Sequence, residues 1–145
     1  MSFKDFTELP VWQKASDLLV QIYHITKGFP DEEKDGMAKD LRYAANNTTN
    51  HLAEGYGTYD RPDKTRYYKL SRANAYRIIN IMMTASKMSF INEVHYNEMM
   101  EGYQRVVEEL DSLIKSLENK GRPQQQQQRY NAPRRKYDYN DNSNS

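Results

Sequence analysis

The chain of 145 residues contains no cysteine, which excludes a disulfide framework and a thiolate metal site. No apolar run approaches the roughly 20 residues that a membrane-spanning helix needs. The opening residues, Met1 to Phe6, are mixed and charged and lack the apolar stretch of a signal peptide, so a cytoplasmic protein is expected. Sustained period-two alternation is missing too, which argues against a sheet. Histidine is scarce: His24, His51 and His95 fall in three different segments without ligand spacing. No serine or lysine stands in a recognised nucleophile motif. Gly55-Tyr56-Gly57 is not a phosphate loop, because it follows a helical segment and lacks the Gly-Lys-Ser/Thr continuation. The inventory therefore predicts neither an enzyme nor a cofactor.

Two smaller signals have bland readings. His51-Leu52-Ala53-Glu54 sets an imidazole and a carboxylate one helical turn apart. Di-iron bundles use Glu-x-x-His twice with further inward glutamates, whereas here the order is reversed and occurs once, so a hydrogen-bonded helix-end pair is expected. Asn46-Asn47-Thr48-Thr49 holds overlapping glycosylation sequons that a cytoplasmic chain would not use.

What is present is helical periodicity in four segments. Pro10 suits a helix start, and Val11, Ala15, Leu18, Ile22 and Ile25, with Trp12 and Leu19, make one apolar stripe that Gly28-Phe29-Pro30 ends. A second helix is expected to begin in Asp31-Glu32-Glu33, acids that suit the positive end of a helix dipole, with Met37, Leu41, Ala44, Thr48 and Leu52 inward. The small residues Ala44, Ala45, Thr48 and Thr49 would allow close approach of another helix. The third is expected from Asp60-Arg61-Pro62-Asp63 to about Phe90. Turning 100° per residue groups Tyr67, Asn74, Ile78, Ile81, Met82 and Ala85 on its inner face. The fourth, from about Glu93 to Lys120, carries Tyr96, Met99, Tyr103, Val106, Leu110, Leu113 and Leu117 in a near-heptad stripe. Four such helices with short connections predict an all-α, antiparallel up-down-up-down four-helix bundle over residues 1–120. Residues 121–145, rich in Gln, Asn, Arg and Tyr, lack the apolar content that would offset ordering entropy and are expected to form a disordered tail.

The formal charge of +1 conceals a marked unevenness. Residues 60–90 carry seven cations against two acids, residues 91–120 three against seven, and the tail five against two. On the third helix Arg66, Lys69, Arg72, Arg77 and Lys87 fall in a broad arc opposite the core stripe. Long cations repeating along a helix can follow phosphates, and Tyr68 and Tyr76 lie near enough to stack on unpaired bases. In the tail Arg134, Arg135 and Lys136 stand among tyrosines, in the manner of flexible arms that grip RNA. The competing reading is a protein–protein scaffold, in which the basic helix pairs with acidic helices of its own or a neighbouring subunit.

Several residues together carry a family resemblance. Leu9-Pro10-Val11-Trp12-Gln13-Lys14-Ala15, Tyr23, Phe29-Pro30, Glu33, Gly36-Met37, Arg42, Ala44-Ala45 and Asn50-His51-Leu52-Ala53-Glu54-Gly55 resemble the marks of the four-helix-bundle family of the 23S rRNA intervening-sequence protein. That family is related to the accessory variability determinant proteins of diversity-generating retroelements. The resemblance spans about residues 6–118. It implies a bundle assembled as a ring-like homopentamer and, in the accessory branch, a basic surface for RNA and for a reverse transcriptase. Where family members carry an aromatic-leucine pair, Gly-Ser and a glutamate, this chain has Tyr67-Tyr68, Ala73-Asn74 and Arg77. The acid-to-arginine change makes the third helix more basic and favours the nucleic-acid-handling branch.

Overall fold

A computed structural model describes residues 5–120. Four helices account for most of them: α1 (Pro10–Thr26), α2 (Met37–Tyr56), α3 (Arg61–Lys87) and α4 (Glu93–Lys120). At 1.5 Å per residue, α3 and α4 run about 40 Å and outreach α1 and α2, at about 26 and 30 Å. Consecutive helices pack on one another and α4 closes against α1, which is the antiparallel up-down-up-down bundle. Phe29, after α1, meets Phe90, after α3, with ring centroids 5.9 Å apart, so both turns lie at the same end.

The helix ends follow local chemistry. Pro10 opens α1, where its missing N–H costs nothing. The acids Asp31–Glu33 form a single 3-10 turn rather than the first turn of α2. The helix starts at Met37, whose N–H is accepted by the Glu33 carboxylate at 3.0 Å, so the acidic run caps the helix from outside it. The Asp60 side chain accepts the Asp63 N–H at 3.1 Å and starts α3. That helix stops at Lys87, earlier than expected. Ser89 takes a left-handed φ of 61°, and the N–H groups of Ser89 and Phe90 return to the carbonyls of Ser86 and Ala85. This is a Schellman-type turn made without glycine.

The core is built from Val11, Ala15, Leu18 and Ile22 of α1, Leu41 and Leu52 of α2, Ile78 and Met82 of α3, and Met99, Tyr103, Val106 and Leu110 of α4. Two stripes differ from expectation. On α4 the buried position after Leu110 is Ile114, with Leu113 and Leu117 only half-buried, because a straight helix drifts away from a strict heptad. On the first half of α3 the buried residues are Thr65, Tyr68, Ser71 and Ala75, while Tyr67 and Asn74 sit at the margin. Small side chains let α3 lie close to α2, where Ala44, Ala45 and Thr48 are buried. The Ser71 hydroxyl donates to the Thr48 carbonyl at 2.7 Å across that seam.

Several residues behind the resemblance have structural duties. Arg42 of α2 donates from Nε to the Thr26 hydroxyl at 2.8 Å and lies over the Tyr23 ring at 4.8 Å. Asn46 donates to the Tyr23 hydroxyl at 3.0 Å, and together these contacts clamp α1 to α2. Trp12 meets Phe6 edge-on, with centroids 5.3 Å apart.

Candidate nucleic-acid interface

All five cations predicted on the third helix lie on α3, but they do not form one uniform arc. Its two flanks have different neighbours. The flank toward α2 carries Lys64, Tyr67 and Ser71, and the flank toward α4 carries Lys69 and Arg72. Lys69 pairs with Glu118 of α4 at 2.7 Å. Arg72 pairs with Asp111 of α4 at 2.6 Å. Arg66 lies over the Tyr67 ring at 4.8 Å and only 4.0 Å from Asp63, a loose contact. Arg77 and Lys87 are exposed and take part in no ion pair or side-chain hydrogen bond among the described residues. Neutralisation by α4 therefore accounts for two of the five, leaving Arg66, Arg77 and Lys87 as the outward charge. Arg134, Arg135 and Lys136 lie outside the described residues.

One expected base-stacking residue is corrected. Tyr68 is buried, and desolvation, with a smaller contribution from Tyr56, pushes its phenol up to about 12. Its ring packs beneath Gly55, which is why that position in α2 has no side chain: a Cβ there would lie 2.7 Å from the ring. Tyr76 is exposed.

Lys64 turns inward, donating to the carbonyls of Gly55 and Tyr56 at 2.7 and 3.0 Å, so it closes the C-terminal end of α2. Burial lowers its pKa from the ordinary value. Arg61 is exposed, and spacing alone groups it with the flank that faces α4, since Arg61, Thr65 and Lys69 recur every four residues. With Pro62, Arg66, Leu117 and Glu118 they line a cleft of about 620 Å³ between the start of α3 and the end of α4.

The His51-Glu54 pair sits at 3.3 Å with the imidazole stacked on Tyr67, centroids 6.3 Å apart, which is an ordinary helix-surface arrangement. Among the described residues no group of three or more His, Asp or Glu side chains is placed to hold a metal ion. None of the described helices is long and apolar enough to cross a membrane.

Fold and surface together define a small four-helix-bundle protein with one helix basic on its outer face. The chain belongs to the 23S rRNA-intervening sequence protein family, whose model matches residues 7–112. No curated protein matches it.

Proposed function

We propose that this chain is a non-enzymatic nucleic-acid-binding accessory protein whose ligand is RNA. The observation that carries the reading is the outward charge of α3: Arg66, Arg77 and Lys87 remain exposed after α4 has taken up Lys69 and Arg72. Exposed cations spaced along one helix match a phosphate backbone, and the acidic partner helix does not cancel them. Arg77 stands where the resemblance expects an acid, which moves this member's surface toward nucleic acid. The sequence after Lys120 adds Arg134, Arg135 and Lys136, interleaved with tyrosines, to the cations of the same chain. The family resemblance supports a ring-like homopentamer, in which repeated weak contacts would reinforce one another. It also supports a reverse transcriptase as the protein partner.

The scaffold reading has its own support, namely the two ion pairs between α3 and α4, since the same charges could pair between subunits. A titration with structured RNA at two salt concentrations separates the readings, run on the full chain and on a variant lacking residues 121–145. RNA binding predicts affinity that falls steeply with salt and survives removal of the tail. Reversal of Arg66 and Arg77 to glutamate should weaken it about tenfold or more and flatten its salt slope, each lost phosphate contact lowering the slope by roughly 0.7–0.9. Full affinity in that double variant would remove α3 from the interface. No binding at low salt would leave the scaffold reading in its place.

A further inference from the structure

The cleft where α3 begins and α4 ends has a lining unlike the rest of the basic surface. Arg61, Arg66 and Lys69 enter it from α3, and one carboxylate, Glu118 of α4, enters from the other side. Three cations against one acid leave a surplus of positive charge inside a concavity. Its volume, about 620 Å³, lies within the roughly 300–1,000 Å³ typical of small-molecule sites. Pro62 and Leu117 supply apolar wall, the surface on which a ribose or base can rest. Arg77 and Lys87 are not among its lining residues.

Within the cleft a carboxylate already sits against one of the cations. The Glu118 side chain is only 11% exposed, and its oxygen stands 2.7 Å from the Lys69 ammonium, where a phosphate oxygen would also stand. Arg61 has no ion pair among the described residues, and the Arg66 guanidinium is braced by the Tyr67 ring and held only loosely by Asp63. One amine is thus engaged by a carboxylate, while Arg61 and Arg66 line the same cleft without a close ion pair. Planar guanidinium forks favour phosphate bidentately.

We propose that this cleft takes the phosphate of a single nucleotide of a nucleic-acid strand, and that Glu118 is its internal counter-ion, swung off Lys69 when the phosphate enters. The inference rests on the nucleic-acid reading and deepens it: the outer cations of α3 track a strand, and the cleft fixes one of its phosphates. The phosphate has two possible sources, a diester within the strand or a monoester at its end.

The test uses the full chain with three probes: adenosine monophosphate, a short 5′-phosphorylated RNA and the same RNA with a 5′-hydroxyl. Binding is followed by amide chemical shifts and by titration. Shifts confined to residues 61–69 and 117–118 with the monophosphate are the expected result. Preference for the 5′-phosphorylated RNA identifies the monoester as the source, and equal binding of both RNAs at those residues identifies the diester. Arg61→Gln with Arg66→Gln should weaken the monophosphate about tenfold, as expected for loss of charge-assisted hydrogen bonds. Glu118→Gln should strengthen it about threefold, since one like charge leaves a partly exposed site. The two changes move affinity in opposite directions, so general damage to the fold cannot produce both. RNA binding without any shift at 61–69 and 117–118 overturns the cleft and leaves the α3 surface reading standing. Shifts with the monophosphate but no RNA binding overturn the strand reading and leave the cleft. Weaker or unchanged affinity in Glu118→Gln overturns the counter-ion role.

Discussion

The two flanks of α3 meet their neighbours in opposite ways. Toward α2 the contact is close: Ser71 reaches the Thr48 carbonyl, Tyr68 packs against Gly55, and Lys64 satisfies the last carbonyls of α2. Toward α4 the contact is charged and partly open: Lys69 and Arg72 reach across to carboxylates, and a cleft separates the helix ends. The same helix therefore holds the bundle together along one edge and displays charge along the other. The difference teaches where substitutions should cost stability and where they should alter binding. Side chains in the first seam cannot move without a void or a clash. Ion pairs in the second can be exchanged for other ions.

The largest expected effect tests the closeness of the α2 seam. Gly55→Ala would put a Cβ 2.7 and 2.9 Å from the Tyr68 ring and 3.2 Å from the Tyr67 Cβ. A buried ring cannot swing aside, so the variant should lose ~2 kcal/mol, within the ~1–3 kcal/mol usual for overpacking. Gly57→Ala is the control. A Cβ there finds only ordinary contacts at 3.6 and 3.8 Å, and its φ of −77° suits any residue. Denaturant unfolding of both variants decides the matter, and equal stabilities would mean that the seam is looser than its distances state.

Alkaline pH gives the second way to press on the same seam. The folded state holds the Tyr68 phenol at about 12 against an ordinary 10.0, mainly by burial. As pH rises the unfolded chain loses this proton first, so the contribution is intact below pH 10 and is lost between 10 and about 12. Tyr103, buried in α4, is shifted upward by burial and acts in the same direction from the same starting point of 10.0. Lys64 works against them: burial lowers its pKa, so rising pH relieves a penalty there before the ordinary 10.5 is reached. Two phenols against one amine give a net alkaline loss. Urea unfolding in steps from neutral pH to about 12 should show it, with a shallower decline in Tyr68→Phe. An unchanged decline in that variant would remove Tyr68 as the cause.

The sequence makes the helices plain and the flanks obscure, for a physical reason. Apolar periodicity reports burial by hydrophobic side chains, and it locates α1 and α4 well because leucine, isoleucine, valine and methionine line them. On the first half of α3 three of the four buried side chains are Thr65, Ser71 and Ala75, which carry almost no such signal. Tyr67 and Tyr68 are adjacent and chemically alike, so only packing against Gly55 decides which one goes inside. The basic zone is equally legible as a charge count and equally mute about its division. Nothing local distinguishes Lys64, which caps α2, from Lys69, which meets Glu118, or from Lys87, which meets solvent. That division depends on where α2 and α4 pass, which is fixed by residues far away in the chain.

The smallest expected effect sharpens the comparison most, because it concerns a residue with two possible employments. Arg72 and Asp111 are 30% and 40% exposed, so their 2.6 Å pair is solvent-screened in spite of its good distance. A double-mutant cycle with Arg72→Ala and Asp111→Ala should give a coupling of ~0.2–1 kcal/mol, the range for pairs in contact with water. In about 1 M salt, where the screening length shrinks to roughly 3 Å, most of it should vanish. Gly55→Ala should keep its full cost under those conditions, since steric overlap does not respond to ions. A measurable coupling makes Arg72 part of the α3–α4 bond. A coupling near zero returns it to the outward cations, and Asp111→Ala should then leave RNA affinity unchanged while Arg72→Ala lowers it. With a real coupling the outcome differs: Asp111→Ala frees a cation beside the cleft, and RNA affinity should rise.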